Sequence, residues 1–326
     1  MSSGGLLVVG TSIDPHIDRV IDQLPPAVHV RRLNVDEFPR SSSISIDHDP
    51  RRGTSLQIND WTPSSPETQP SVLWFRRLGR PGLPKQLEPK YERYAYAESD
   101  HVLESFLSLV QPKRWINEYW HCRRAALKPL QLSEARACGL ATPATLVTSR
   151  AERAHLWFRS NIDAIAKTLS SPVVYSDDDG ARGFAFTHVL SADDDAALDR
   201  AAPLPVQFQE LVRPQFELRV TSIGSLHVAV RIDTDSVEAR GLRDWRSDHV
   251  SCTYSWFLLP ESVGAKLTNL LGRLGLDYAA TDFIVTAEGE YVFLESNPHG
   301  AWLWLEEALG DDRITRSIAA HIGNNC

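Results

Sequence analysis

The chain has 326 residues, 42% hydrophobic and 23% charged, which excludes a disordered, collagen-like or coiled-coil protein and leaves room for two or three domains. A formal net charge of -8 excludes a broad basic footprint for nucleic acid, though not a local cationic pocket. The four cysteines form no CxxC pair and no zinc spacing, and no apolar run is long enough for a signal core or a membrane span, so a cytoplasmic protein with free thiols and no membrane partner is expected.

The start reads as α/β. Residues 6–9 form a short buried strand, and Ile13, Ile17, Val20, Ile21 and Leu24 recur at helical spacing until Pro25-Pro26 stops them. Residues 28–33 fit a second strand. The Ser, Asp and Pro-rich stretch 36–70 predicts loops and short edge strands, and 72–75 a buried strand. Val102, Leu103, Phe106, Leu107 and Val110 predict an amphipathic helix. Beyond it the spacing predicts one helix over 123–138, ended by Gly139 at C′. A strand at 145–147, a short helix near 150–159 and strands at 162–168, 172–176 and 184–190 follow. A turn at Asp177-Asp178-Asp179-Gly180 joins the last two, and Asp193-Asp194-Asp195 reads as a solvated loop. Phe216, Leu218 and Val220 alternate with Glu217, Arg219 and Thr221, a period of two with one apolar face. The chain returns over 225–232. A helix over 261–274, two strands around Glu288-Gly289 and two terminal helices complete it.

That last hairpin carries the most chemistry. If Glu288-Gly289 is a two-residue loop, Asp282 opposes Glu295 across the ladder, and Asn297 lies two residues on, hence on the same face. Two facing carboxylates repel one another. A hard divalent cation removes the conflict, and carboxylate and amide oxygens suit Mg²⁺. A solvent-facing polar stripe is the alternative.

The run from Phe293 to Trp302, preceded by Asp282, resembles the metal-binding end of the ATP-grasp superfamily. More narrowly it is similar to the ligases that make graspetides, the microviridin-type ω-ester and ω-amide macrocycles. The segments 73–77, 127–131, 139–145, Ala166-Lys167, 207–212, 217–220 and Asp244-Trp245-Arg246 stand in the same order, so the likeness covers about 72–326. It implies an α/β chain, α+β in part. A pre-ATP-grasp domain at 1–115 would precede central (116–203) and C-terminal (204–326) ATP-grasp domains, with ATP clamped between the last two. It also implies Asp282, Glu295 and Asn297 as holders of Mg²⁺, and Lys128 and Lys167 as nucleotide contacts. Either lysine alone reads equally as a surface residue. Gln209, Glu210, Leu211 and Val212 resemble the hinge that reads adenine. Arg219 and Arg231 are expected to share a sheet face near the phosphates, with Arg246 a third cation; a Glu217–Arg219 salt bridge is the plainer alternative. Trp302 and Trp304 read as packing.

The family's glycine-rich phosphate lid is thin here: 177–186 has only Gly180 and Gly183, with three aspartates. The segment 121–124 lacks an expected asparagine. No GxSxG, HExxH or Cys–His dyad can be assembled, so no protein nucleophile is expected. The resemblance implies activation of Asp or Glu side chains of a precursor peptide as acyl phosphates, then attack by a Ser or Thr hydroxyl or a Lys amine. The expected partner is a precursor with a leader and an acidic core. Arg76, Arg77, Arg80 and Lys85 form the densest basic stretch available to it, and a homodimer is left open. A small-molecule carboxylate–amine ligase, or a non-catalytic peptide- or nucleotide-binding module, would share much of this pattern.

Overall fold

The computed structural model describes residues 5–63, 68–161, 163–170, 173–175, 182–184, 187–191, 194, 198–199, 204–233 and 252–326. Strands β1 (Leu6–Gly10), β2 (Val30–Asn34), β5 (Val72–Phe75) and β6 (Arg114–Ile116) form a parallel sheet in the order β2-β1-β5-β6. All of β1 and β5 is buried, which is why both read as continuous apolar runs rather than alternating ones. β6 straddles residue 115, so this sheet runs past the expected boundary. Helix α1 (Pro15–Ile21) is shorter than the apolar spacing predicts. Asp14 caps it by accepting from the His16 N–H, and Pro15 occupies the first turn, leaving Ile13 outside and 83% exposed. Hairpin β3 (Ile44–Asp49) and β4 (Gly53–Ile58) occupies the polar stretch, and α2 (Glu92–Leu109) buries Leu103, Phe106 and Leu107.

The single helix expected over 123–138 is two helices, α3 (Tyr119–Ala125) and α4 (Lys128–Ala137). Pro129 is the cause. It has no N–H, and its ring would meet the carbonyl four residues back, so a helix can begin beside it but not run through it. Gly139, at φ +76°, ends α4 as expected.

Strands β7 (Thr145–Thr148), β8 (Ala164–Lys167), β11 (His188–Val189) and β12 (Val206–Glu210) form an antiparallel sheet, order β11-β8-β12-β7, backed by α5 (Ala151–Ser160). Ala154, Ala164, Leu190, Leu198 and Phe208 make its small core. Strands β9 (Val173–Tyr175) and β10 (Arg182–Phe184) pair with each other. The strand expected over 184–190 is therefore divided between β10 and β11. The turn at 177–180, Asp193 and Asp195 lie outside the described residues; Asp194 accepts from the Ser191 N–H.

The third sheet is antiparallel, in the order β15-β14-β13-β16-β17: β13 (Phe216–Ile223), β14 (Leu226–Asp233), β15 (Thr253–Phe257), β16 (Tyr278–Val285) and β17 (Tyr291–Asn297). Phe216, Leu218, Val220, Phe283 and Val285 pack in one cluster with Leu267, Leu270, Leu271 and Leu274 of α6 (Glu261–Leu274). Each such buried side chain contributes about 1.5–3 kcal/mol, so this face is committed to the core. The opposite face carries Arg219 and Asp282. A second cluster joins Leu6, Val8 and Trp74 of the first sheet to Tyr278, Trp302 and the apolar faces of α7 (Leu303–Leu309) and α8 (Arg313–Gly323). Trp302 is fully buried, with Nε1 donating to Thr315 Oγ1, and Trp304 packs beside Tyr254, so both serve packing.

A buried ionic knot anchors this second cluster. Asp14 accepts from Arg77 Nη2 at 2.6 Å, lies 3.4 Å from Arg76 Nε and contacts His16 Nδ1 at 2.7 Å. Arg76, 1% exposed at its side chain, lies over Trp302 and donates from Nη1 to the His299 carbonyl at 2.6 Å. Burial alone would raise the Asp14 pKa. The His16 hydrogen bond and the Arg76 and Arg77 charges outweigh it and hold the carboxyl well below the usual carboxylate range. A depressed folded pKa contributes stability above the unfolded value, about 3.9, that is lost as pH falls toward the folded one. Asp14→Asn should therefore flatten the acid limb of a stability–pH profile below about pH 4. Unfolding titrations at stepped pH check this; an unchanged slope would remove Asp14 from the account.

Candidate functional site

Asp282 and Glu295 are directly opposed, but by another route than a two-residue loop. The last pair before the turn is Val285 with Tyr291, and residues 286–290 form the connection, with Gly289 at φ +81°. That alone would set Glu295 one position off. The ladder then skips Leu294, a bulge between the Phe283–Phe293 and Asp282–Glu295 pairs, and the register is restored. Asn297 opposes Ala280, two residues from Asp282, and so shares the face.

The repulsion between the two carboxylates is answered by two cations. Arg219, opposite Asp282 on β13, donates from Nη1 to Oδ1 at 2.5 Å. Lys128 Nζ lies 3.3 Å from Glu295 Oε2 and donates to the Thr168 carbonyl at 3.3 Å, beside Lys167. Lys128 opens α4, against the positive end of the helix dipole, where a lysine has no local reason to be. Burial disfavours the Arg219 charge, but Asp282 and Glu295 more than offset that, so the guanidinium stays charged. Its Nε is buried with no hydrogen-bond partner among the described residues.

Lys167 Nζ donates to Gln209 Oε1 at 2.9 Å, and Gln209 Nε2 donates to Thr145 Oγ1 at 3.0 Å. Gln209 is 1% exposed, so it orients Lys167 rather than lining a surface. Next to it the Glu210 N–H donates to the Ala144 carbonyl and the Leu211 N–H to Asp163. Glu210, Leu211 and Val212 wall a cleft of about 600 Å³ whose other side is Ala141, Thr142 and the 286–290 connection.

One expected pairing does not hold. Arg231 opposes Leu218, not Arg219, so it lies on the other face of the sheet, with its guanidinium over Phe216 and bonded to Asp233. Asp244, Trp245 and Arg246 lie outside the described residues. The basic stretch is also thinner than it reads, because Arg76 is buried and Arg77 is taken by Asp14.

Three buried polar side chains, to none of which the sequence assigns this role, peg the strand that carries Glu295 and Asn297. Gln131 accepts from the Ser296 N–H at 2.7 Å and donates to its carbonyl at 2.8 Å, pairing with edge strand β17 between Glu295 and Asn297. Asn117 accepts from the Asp277 and Tyr278 N–H groups and donates to the Tyr278 and Pro298 carbonyls. Arg76 holds His299. In the sequence Gln131 stands three residues after Lys128, on the same face of α4, and closes the 127–131 segment that carries the resemblance.

Among the described residues no group of three or more His, Cys, Asp or Glu side chains could hold a metal. The set is two carboxylates and an amide, all hard oxygen donors. That sparse set fits Mg²⁺, which keeps positions for phosphates and water, and Lys128, Lys167 and Arg219 are the cations nearest to it.

A family model described as the MvdD pre-ATP grasp domain matches residues 6–123. None of the curated proteins matches. Among solved structures, the chain is similar to a RiPP-associated ATP-grasp ligase of Chryseobacterium gregarium in complex with ADP and a leader and core peptide. That pair is 28% identical over 99% of this chain and 98% of the other, with a TM-score of 0.87. The macrocyclase MdnC of Microcystis aeruginosa MRC, bound with precursor peptide MdnA, is 25% identical over 98% and 100%, at 0.84. MdnB from the same organism is 27% identical over 98% and 99%, at 0.77. With a match to the pre-ATP-grasp model in front and near-complete overlap with these ligases along its length, the chain has the ATP-grasp fold and is similar to ATP-grasp peptide ligases of the graspetide type.

Proposed function

We propose that the chain is a macrocyclase. It activates Asp or Glu side chains of a leader-bearing, acidic precursor peptide and closes ω-esters with Ser or Thr, or ω-amides with Lys. The observation that carries this reading is one sheet face holding Asp282, Glu295 and Asn297, with Arg219 and Lys128 drawn onto the carboxylates. The domains divide near 1–115, 116–203 and 204–326, and the nucleotide lies between the last two. Asp282, Glu295 and Asn297 would hold Mg²⁺, which neutralises charge on transferred phosphate oxygens when bound. Lys128 and Lys167 hold the phosphates. Gln209 keeps Lys167 extended, and the backbone of 210–212 meets the adenine edge. Arg219 steadies the acyl phosphate, and Arg246 is a further cation for it. Arg231, on the other face, is left to packing. In chemical terms a peptide carboxylate oxygen bonds to the γ-phosphorus as ADP leaves. The hydroxyl or amine then attacks the acyl carbon, phosphate departs, and the nucleophile's proton goes to solvent. Two buried free thiols, Cys122 and Cys138, accord with a cytoplasmic site of action. No helix among the described residues is long and apolar enough to cross a membrane.

Mass spectrometry of a co-expressed precursor tests this: each ring removes one water from the peptide. A precursor of unchanged mass, with ATP turned over on a small amino acid instead, would replace the reading by the small-molecule ligase. Lys167→Ala should weaken Mg-ATP binding about 10- to 100-fold, the worth of one charge-assisted contact of about 1.5–3 kcal/mol. A nucleotide titration showing wild-type affinity in the folded variant would remove Lys167 from the site.

A further inference from the structure

Asn297 is the last residue of β17, so the loop that follows it decides where its amide points. The His299 N–H donates to Asn297 Oδ1 at 2.8 Å. A backbone N–H can only donate, so the oxygen is fixed on that side, with a second lone pair left for a cation. The two peptide planes that meet at His299 are each held from outside the loop. Asn117 Nδ2 donates to the Pro298 carbonyl at 3.3 Å, and Arg76 Nη1 to the His299 carbonyl at 2.6 Å. Because peptide units are planar, holding both carbonyls gives the His299 N–H one direction. The loop is also pressed onto β16, since a Cβ at Gly300 would run into Ala280, the residue opposite Asn297. Arg76 itself follows β5, in the region that matches the pre-ATP-grasp model. Its side chain is 1% exposed, and among the described residues Nε and Nη2 have no hydrogen-bond partner. Asp14 is bonded by Arg77 and His16, and Arg76 only approaches it, at 3.4 Å. The short hydrogen bond of this buried guanidinium therefore goes to a loop carbonyl 223 residues away.

We propose that Arg76 is a positioning residue for the Mg²⁺ site: by holding the His299 carbonyl it keeps the His299 N–H on Asn297 and aims the Asn297 oxygen. The inference rests on the reading of Asp282, Glu295 and Asn297 as holders of Mg²⁺. It adds that the site is completed from the pre-ATP-grasp end of the chain, which carries none of the three. Packing alone does not account for Arg76, because an apolar side chain over Trp302 would fill the same place without burying a charge. Groups that orient a metal ligand change metal affinity about 10- to 100-fold when lost.

The test reads the Mg²⁺ concentration for half-maximal ATP binding, ATP affinity without Mg²⁺, and Tm. Arg76→Met should raise that concentration about tenfold or more and leave metal-free ATP affinity unchanged. Arg76→Lys, whose ammonium can still donate to the carbonyl, should recover part of the loss. Ile318→Val, an apolar member of the same cluster, should lower Tm without moving the Mg²⁺ requirement. A fall in Tm with an unchanged Mg²⁺ requirement in the Arg76 variants overturns the proposal. Asn297→Ala separates the two readings: an unchanged Mg²⁺ requirement there removes the metal assignment, and the proposal falls with it. Hydrogen exchange by NMR on the metal-free protein covers an Arg76 variant that does not fold. The His299 amide should exchange slowly in wild type and faster in Asn297→Ala. A His299 amide that exchanges in wild type as fast as in an unstructured peptide overturns the proposal.

Discussion

Glu295→Gln should leave the fold intact and nearly abolish ring formation. Glu295 and Lys128 are both partly exposed and 3.3 Å apart, and ion pairs of that kind contribute about 0–1 kcal/mol. Loss of the charge also relieves Asp282 of a like-charged neighbour, although Arg219 already compensates it. The two small effects oppose, so stability without nucleotide should change by no more than about 1 kcal/mol. Phosphoryl transfer is another matter. Loss of a metal-holding carboxylate should slow it about a thousandfold or more, some 4 kcal/mol of barrier at about 1.4 kcal/mol per factor of ten. Stabilisation by Mg-ATP should shrink as well, since it follows the ratio of ligand to Kd. Thermal unfolding with and without Mg-ATP, and initial rates of ring closure by mass spectrometry, check both halves. Wild-type closure by the variant would return Glu295 to a polar stripe.

Gln131→Ala should damage stability and site together. The Gln131 amide is 3% exposed and bonds to both backbone groups of Ser296, and its Nε2 also reaches the Ala125 carbonyl. Truncation leaves these buried groups unsatisfied at about 1–3 kcal/mol each, and relaxation of the edge strand recovers part, so a loss of about 2–4 kcal/mol is expected. Ser296 stands between Glu295 and Asn297. A strand no longer pegged there should lose Mg-dependent nucleotide affinity about tenfold. Gln131→Glu keeps the acceptor for the Ser296 N–H but turns an oxygen toward its carbonyl, so it should rescue neither property. Chemical denaturation and nucleotide titration of the same variants separate the outcomes. Lost stability with intact Mg-ATP affinity would make Gln131 a packing residue only.

What the sequence discloses depends on how local the controlling physics is. The 261–274 helix and the alternation of Phe216, Leu218 and Val220 are local amphipathic patterns and appear as expected. The break at Pro129 is equally local, and it is legible once proline is weighed above apolar spacing. Register is not local. Ile223 pairs with Leu226, which sets Leu218 against Arg231, and a difference of one residue sends Arg231 to the far face. The Asp282–Glu295 pair is legible only because a longer connection and the bulge at Leu294 cancel. Gln131 and Asn117 reach partners more than 160 residues away, and Arg76 reaches one 223 residues away. No spacing rule links such positions, so the pegs that hold the candidate site are visible only in the fold.

Oxygen transfer tests the proposed chemistry most directly. If a peptide side-chain carboxylate is activated as an acyl phosphate, one of its own oxygens must leave with the phosphate when the ring closes. A precursor labelled with ¹⁸O in its Glu and Asp side chains should release phosphate carrying one ¹⁸O per ring, with ADP as the nucleotide product. Unlabelled phosphate, or label recovered in AMP, would contradict an acyl phosphate formed on the Asp282–Glu295–Asn297 face.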